Sequence, residues 1–242
     1  MTRSLRQQDM RAESKLAEFM DSYLYSRITP TKDDSKLKYE RKHDAKEQLE
    51  GIDVCIDVDS KKFLIDEKAA LYYSNADIDT FAFEINSLQR GWMLPVEGWF
   101  VNYKLRTEYY MLIWPNVKCD RKRGWVRKEI NALEKDDFTI VETMLISKEK
   151  LIHKMNELGY NKQKLLDYAR VLRETNSEDN KHIEDTLEHG IRIRISTHKA
   201  EKPVNVLIPK KILKELAEKR YFVSKEGCAS FENRGVAHGY KN

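Results

Sequence analysis

Gly51-Ile52-Asp53-Val54-Cys55-Ile56-Asp57-Val58-Asp59-Ser60-Lys61-Lys62-Phe63-Leu64-Ile65-Asp66-Glu67-Lys68 is the stretch on which the fold turns. Two β-rich runs, Ile52 to Val58 and Lys62 to Lys68, flank the short polar connection Asp59-Ser60-Lys61, and that spacing predicts an antiparallel hairpin. Asp53 and the triplet Asp66-Glu67-Lys68 put charge into a region that should be core. A buried carboxylate costs free energy unless it is paired or bound to a metal, so these charges need a reason. Alternate side chains of a strand share a face, so Asp66 and Lys68 point one way while Glu67 points the other with Phe63 and Ile65. Asp53 begins its strand where the antiparallel partner ends, which brings it near Asp66. Two carboxylates and one ammonium are thus expected at one site.

Such hard oxygen donors suit magnesium, which takes one or two carboxylates, keeps several waters and binds substrate phosphate oxygens. The donor set points to phosphodiester hydrolysis, with Lys68 orienting or deprotonating the attacking water and touching the scissile phosphate. A hairpin with Asp-x-Lys is also compatible with a solvated face carrying a cross-strand ion pair, and the spacing is loose enough to recur by chance. Position favours the metal reading, because the charges follow a helix and fall where apolar density is highest.

Working outward, Leu16, Phe19, Met20, Tyr23 and Leu24 recur at helical spacing and predict an amphipathic helix from Ala12 to about Ile28, stopped before Pro30. Thr31 to Glu50 reads as part loop and part helix, ended by Gly51. Thr80 to Ile85, and Glu108 to Trp114 ended by Pro115, extend the sheet, with an irregular or hairpin excursion over Trp92 to Tyr103 between them. Phe138 to Leu145 is a further strand. Ser147 caps a helix from Lys148 to Leu158, and Asn161 caps a second running to about Arg173. Thr175 to His189 reads as solvated, Ile191 to Ile195 and Val204 to Ile208 as strands, and Pro209 to Lys219 as a helix with Pro at its start. The last ten or so residues read as frayed.

The chain has 242 residues, of which 40% are hydrophobic and 35% charged, so its buried residues must be concentrated in a few segments. Lys and Arg exceed Asp and Glu by 44 to 40, a net charge of +4, too small to require a nucleic-acid partner unless the basic residues cluster. The three cysteines, Cys55, Cys119 and Cys228, have no metal-ligand or disulfide spacing, the six histidines have none suited to a metal or a triad, and no apolar run is long enough to span a membrane. A cytoplasmic protein without a membrane partner is expected.

On Asp53 as first acidic residue, Asp66-Glu67-Lys68 as the (D/E)-x-K element, a helix before the sheet and strands after it, the sequence resembles the PD-(D/E)XK nuclease superfamily, over roughly Ala12 to Pro115. The residue before Asp53 is Ile52 and not proline. The resemblance implies an α/β fold with a restriction-endonuclease-like core: a helix, a mixed central sheet with an N-terminal β-hairpin, a crossover helix and flanking helices. It implies cleavage of DNA or RNA with Mg²⁺, for which Mn²⁺ substitutes, and DNA is the expected substrate. Asp53 and Asp66 would hold the metal and Lys68 would act on the substrate. Many members add a carboxylate from the first helix, and Glu18 is the candidate, with Glu13 and Asp21 as neighbours that would replace it. Asp44 and Gln48 are further candidates, and Glu84 is either a supporting group or outward-facing. No clear crossover helix separates Thr80–Ile85 from Glu108–Trp114. Residues 1–118 form the expected nuclease core, and 119–242 a C-terminal α+β portion that completes the sheet or contacts the substrate.

Arg121, Lys122, Arg123, Arg127 and Lys128, with Lys118, make the densest basic cluster and are candidate phosphate contacts. The helix pair Lys148–Leu158 and Lys162–Arg173 has helix-turn-helix proportions, as many short helical hairpins do. Together they define the competing reading, a non-catalytic nucleic-acid-binding protein in which the acidic hairpin is only structure.

Overall fold

The computed structural model describes residues 6–29, 37–89, 94–120, 126–127, 129–176, 183–197 and 199–231. In chain order its elements are α1 (Arg6–Met20), α2 (Ser26–Ile28), β1 (Leu37–Arg41), α3 (Ala45–Leu49), β2 (Val54–Val58), β3 (Lys61–Ala69), β4 (Thr80–Ser87), β5 (Val96–Glu97), β6 (Tyr109–Val117), β7 (Cys119–Asp120), β8 (Val126–Arg127), β9 (Phe138–Ser147), α4 (Lys148–Glu157), α5 (Lys162–Thr175), β10 (Glu184–Thr186), β11 (Arg192–Ile195), β12 (Val204–Pro209), α6 (Lys210–Leu216), β13 (Ala217–Val223) and β14 (Cys228–Phe231). A seven-stranded mixed sheet has the order β1-β2-β3-β6-β9-β13-β14, and a five-stranded sheet the order β10-β11-β12-β4-β5. The mixed α/β class expected from the sequence is thus what the chain adopts, and strands from beyond residue 118 complete both sheets.

The decisive hairpin pairs Val54 with Ile65 and Val58 with Lys61. Its loop is the two residues Asp59 and Ser60, at φ 51° and 67°, the positive-φ pair that matches the twist of the flanking strands. β3 then pairs with β6 in parallel, Asp66 opposite Tyr110. Parallel neighbours need a crossover, and here it carries β4 and β5 instead of the helix that the resemblance implies. The reason lies in the alternation of Thr80 to Ile85: Phe81, Phe83 and Ile85 are buried on one face, a period that a helix would scatter.

Two apolar cores lie on opposite faces of the large sheet. On one, Ala12, Leu16, Phe19, Met20, Leu24 and Tyr25 pack against Val54, Ile65, Met111 and Ile113. The predicted helix is continuous in direction but not in pitch, since Asp21–Tyr25 forms a π turn between α1 and α2. The wider turn brings Tyr25, five residues after Met20, back onto the core face. On the other face, β4, β11 and β12, with α4, α5 and α6, cover Tyr110, Leu112, Trp114, Met144 and Ile146.

Three further expectations change. Pro115 does not end β6; it stands beyond Ile113, the last residue paired with β3, at a register shift against β9, where a missing N–H is tolerated. The helix expected over Pro209 to Lys219 stops at Leu216, and Ala217 to Val223 becomes β13, because Tyr221 and Val223 bury against β9. Within Thr31 to Glu50 lies β1, an added edge strand, before the short α3. The final residues, from 232 onward, lie outside those described.

Candidate functional site

Local structure delivers Asp53 to the end of β3. Gly51, at φ +77°, closes α3 so tightly against Thr107 that a Cβ there would collide with the threonine hydroxyl, which donates to the Gly51 carbonyl at 2.7 Å. Two residues later the Asp53 N–H donates to the Ile65 carbonyl at 2.9 Å, and the Asp53 carboxylate accepts from the Glu67 N–H at 2.8 Å. The Asp53 side chain lies close enough to Asp66 to push its carboxyl up.

Asp66 is only 2% exposed. Its Oδ1 accepts from Lys68 Nζ at 2.5 Å, whereas its Oδ2 has no hydrogen-bond partner among the described residues. Facing it in register, Tyr110 is fully buried with its hydroxyl also unpartnered. Lys68 Nζ lies 5.2 Å from the centre of the Trp99 ring, a cation–π contact, and Trp99 in turn meets Tyr110 edge-on at 5.2 Å. Burial pushes the Asp66 carboxyl up to about 7; Lys68 pulls it down and Asp53 pushes it further up. Burial alone would lower the Lys68 ammonium, but Asp66 and Asp53, and more weakly Glu13, raise it on balance. The Tyr110 phenol is raised by burial and then by Asp66.

One residue along, the opposite face is arranged differently. Glu67 accepts from Tyr25 Oη at 2.8 Å through Oε1 and from Arg41 Nη1 at 2.6 Å through Oε2. Arg41 Nε also reaches Asp21 at 2.7 Å. Both Glu67 oxygens are occupied and none faces the Asp66 side.

The remaining candidates divide. Glu18 does not join the carboxylates: it is exposed and pairs with Lys15 at 2.8 Å, one turn back on α1. Asp21 is held by Arg41, and Asp44 caps α3 by accepting from the Lys46 N–H at 2.6 Å. Gln48 donates to the Lys42 carbonyl at 3.4 Å. Of the helix acids, Glu13 is the one whose field reaches Lys68. Glu84 is half-buried, accepts from Ser87 Oγ at 3.0 Å and is raised by burial, with Lys68 among the charges that oppose the rise. Arg121, Lys122, Arg123 and Lys128 lie outside the described residues, and of the cluster only Lys118 and, by its backbone in β8, Arg127 are placed.

Sequence reading missed Lys148. It is 7% exposed, its Nζ donates to the Leu105 carbonyl at 3.2 Å, and burial lowers its ammonium while Asp66 raises it. A signal existed: a lysine in the first turn of a helix opposes the helix dipole and is out of place unless something else holds it.

These residues fit a magnesium ion in part. Asp53 and Asp66 each commit one oxygen within the protein, to the Glu67 N–H and to Lys68, and the orphaned Asp66 Oδ2 is a buried acceptor awaiting a donor or cation. Among the described residues no group of three or more His, Cys, Asp or Glu is placed to hold a metal ion. No family model, curated protein or solved structure matches the chain. Among the described residues no helix is long and apolar enough to cross a membrane.

Proposed function

We propose that this chain is a Mg²⁺-dependent nuclease that hydrolyses phosphodiester bonds, of DNA before RNA, in the manner of the PD-(D/E)XK superfamily that its hairpin resembles. One observation carries the reading: Asp53 and Asp66 converge beside Lys68 on one face, and a buried Asp66 oxygen is left without a partner. Burying a carboxylate without satisfying it costs about 1–3 kcal/mol or more, a cost that a bound cation would offset. The sheet order lends support, since a helix, the antiparallel β2–β3 hairpin and a crossover to a parallel strand accord with the implied core, while β1 is an added edge strand and the crossover carries strands.

Magnesium held by Asp53 and Asp66 would supply positive charge at the scissile phosphate and acidify a coordinated water. The chain's own groups do the rest. Lys68, kept protonated by the two aspartates, presents N–H donors toward a phosphate oxygen and neutralises charge that builds there. Trp99 fixes its ammonium from one side and Asp66 from the other. Tyr110 holds a phenol beside Asp66 for a hydrogen bond to the reacting oxygens.

The test is incubation of the purified chain with plasmid and with single-stranded DNA, with and without Mg²⁺ or Mn²⁺. Metal-dependent cleavage that Asp66→Ala and Lys68→Ala each abolish, with the fold retained by circular dichroism, supports the reading. Full activity in either variant ends it.

A further inference from the structure

We infer that Lys148 is a second phosphate-contacting lysine and that the open groove it lines carries a single strand of nucleic acid into the Asp53–Asp66 site; the inference rests on the nuclease reading. The placement follows from register. Asp66 lies opposite Tyr110, Tyr110 opposite Ile146, and the ladder ends with the Lys148 N–H donating to the Glu108 carbonyl at 2.9 Å. Lys148 is the first residue of α4, and this bond ties its backbone to β6 two residues before Tyr110, at the mouth of β6. Lys148 as a whole is 7% exposed, and among the described residues its ammonium donates to the Leu105 carbonyl, which leaves N–H donors for a ligand. The electrostatic coupling between Lys148 and Asp66 agrees with this proximity.

The groove beside it, of about 670 Å³, is lined by Lys61, Phe63, Tyr103, Tyr109, Lys148 and His153 among others. Asp66 itself is not on its wall, so the groove is an approach that Lys148 joins to the buried carboxylates. Cations lie over aromatic rings of this wall: Lys61 Nζ sits 5.1 Å from the Phe63 ring, and Lys162 Nζ, which also pairs with Glu97 at 2.6 Å, lies 4.9 Å from the Tyr103 ring. Tyr103 is 53% exposed, a large aromatic surface left to solvent. Two acids, Glu108 and Glu149, share the wall, but the Glu108 carboxylate is turned onto the Leu64 N–H at 3.0 Å. Ring faces flanked by lysines suit unpaired bases with their phosphates, since each base offers a stacking face only when it is out of a duplex.

The experiment uses the full chain and a labelled single-stranded DNA oligonucleotide, compared with a duplex of the same sequence. On an Asp66→Asn background, which keeps the DNA intact, Tyr103→Ala and Lys148→Ala should each weaken single-strand binding about tenfold, with Lys148→Arg retaining it. With Asp66 present, Lys148→Ala should slow cleavage of the single strand about a hundredfold. Tyr103 is exposed, so its variant tests the groove even if Lys148→Ala fails to fold. Unchanged single-strand binding in the Tyr103 and Lys148 variants, or equal losses on the duplex, overturns the inference. If the wild type cleaves nothing with either metal yet the binding losses appear, the groove stands as a single-strand track and the hydrolytic reading falls.

Discussion

The two faces of β3 carry adjacent carboxylates with opposite fates. Glu67, toward α1, has both oxygens bonded, to Tyr25 and to an Arg41 that also holds Asp21. Asp66, toward the second sheet, is more deeply buried, yet among the described residues one of its oxygens has no partner, the other accepts from Lys68, and a second carboxylate is its neighbour. In the first arrangement both Glu67 oxygens are bonded, although Asp21 Oδ1 and Arg41 Nη2 beside them have no hydrogen-bond partner among the described residues. The second is open, and it is the one that chemistry can use. What separates the two is the carboxylate itself, bonded at both oxygens in Glu67 and at one in Asp66 among the described residues.

The largest effect should come from the open face. Asp66→Ala and Lys68→Ala should each lower cleavage by at least about a hundredfold, with Asp66→Ala losing little stability in denaturant unfolding and Lys68→Ala more, because it strips the buried Asp66 of its ion-pair partner; a marked loss of stability in Asp66→Ala with cleavage preserved would reverse the roles assigned to the two faces. Next comes the closed face. Arg41→Met leaves Glu67 buried without its ion-pair partner and should cost about 3–5 kcal/mol in urea unfolding, with specific activity of the folded protein much less changed. A stability equal to wild type would mean that Glu67 is not held by Arg41 in solution.

A pH experiment sharpens the contrast. In its folded state the Asp66 carboxyl is raised to about 7 from an ordinary value of 3.8, so the native state holds its proton more tightly than the unfolded chain does. That stabilisation is complete below the ordinary value and is lost as pH rises to about 7. In EDTA, therefore, the stability of the wild type relative to Asp66→Asn should fall between about pH 4 and pH 7, and Mg²⁺ should restore it at the upper end. A difference that stays flat over this range removes the buried, strained carboxyl from the account. The smallest effect belongs to Glu18: Glu18→Gln breaks an exposed pair with Lys15 and should change stability by less than about 0.5 kcal/mol, with cleavage as in wild type. A large drop in activity would bring the helix acid back into the site.

Much of the site was legible because strand alternation is strict. Asp66 and Lys68 had to share a face, Glu67 had to leave it, and the short connection Asp59-Ser60-Lys61 had to return Asp53 toward the strand end, although Lys61 proves to pair with Val58 and the loop is one residue shorter. Elements with a clean period were equally readable, as at Thr80–Ile85 and Ile191–Ile195. Less legible were segments whose pattern serves two structures: Ala217 to Val223 follows a helical run without a breaker, and only pairing with β9 makes it a strand. Glu18 was a plausible ligand on a helical wheel, but a wheel has no partner side chains, and Lys15 was one turn away.

The sequence by itself determined the hairpin, the sidedness of its charges and the presence of an apolar helix before it, since these depend on local periodicity and turn chemistry. Tertiary structure alone decided that the crossover is a strand layer, that β6 lies parallel to β3, that Glu67 is matched by Arg41 and Tyr25 while Asp66 is not, and that Lys148 approaches from eighty residues away in sequence (). Those facts depend on which distant segments meet, and the free energy of a buried charge is set by the groups that surround it in space.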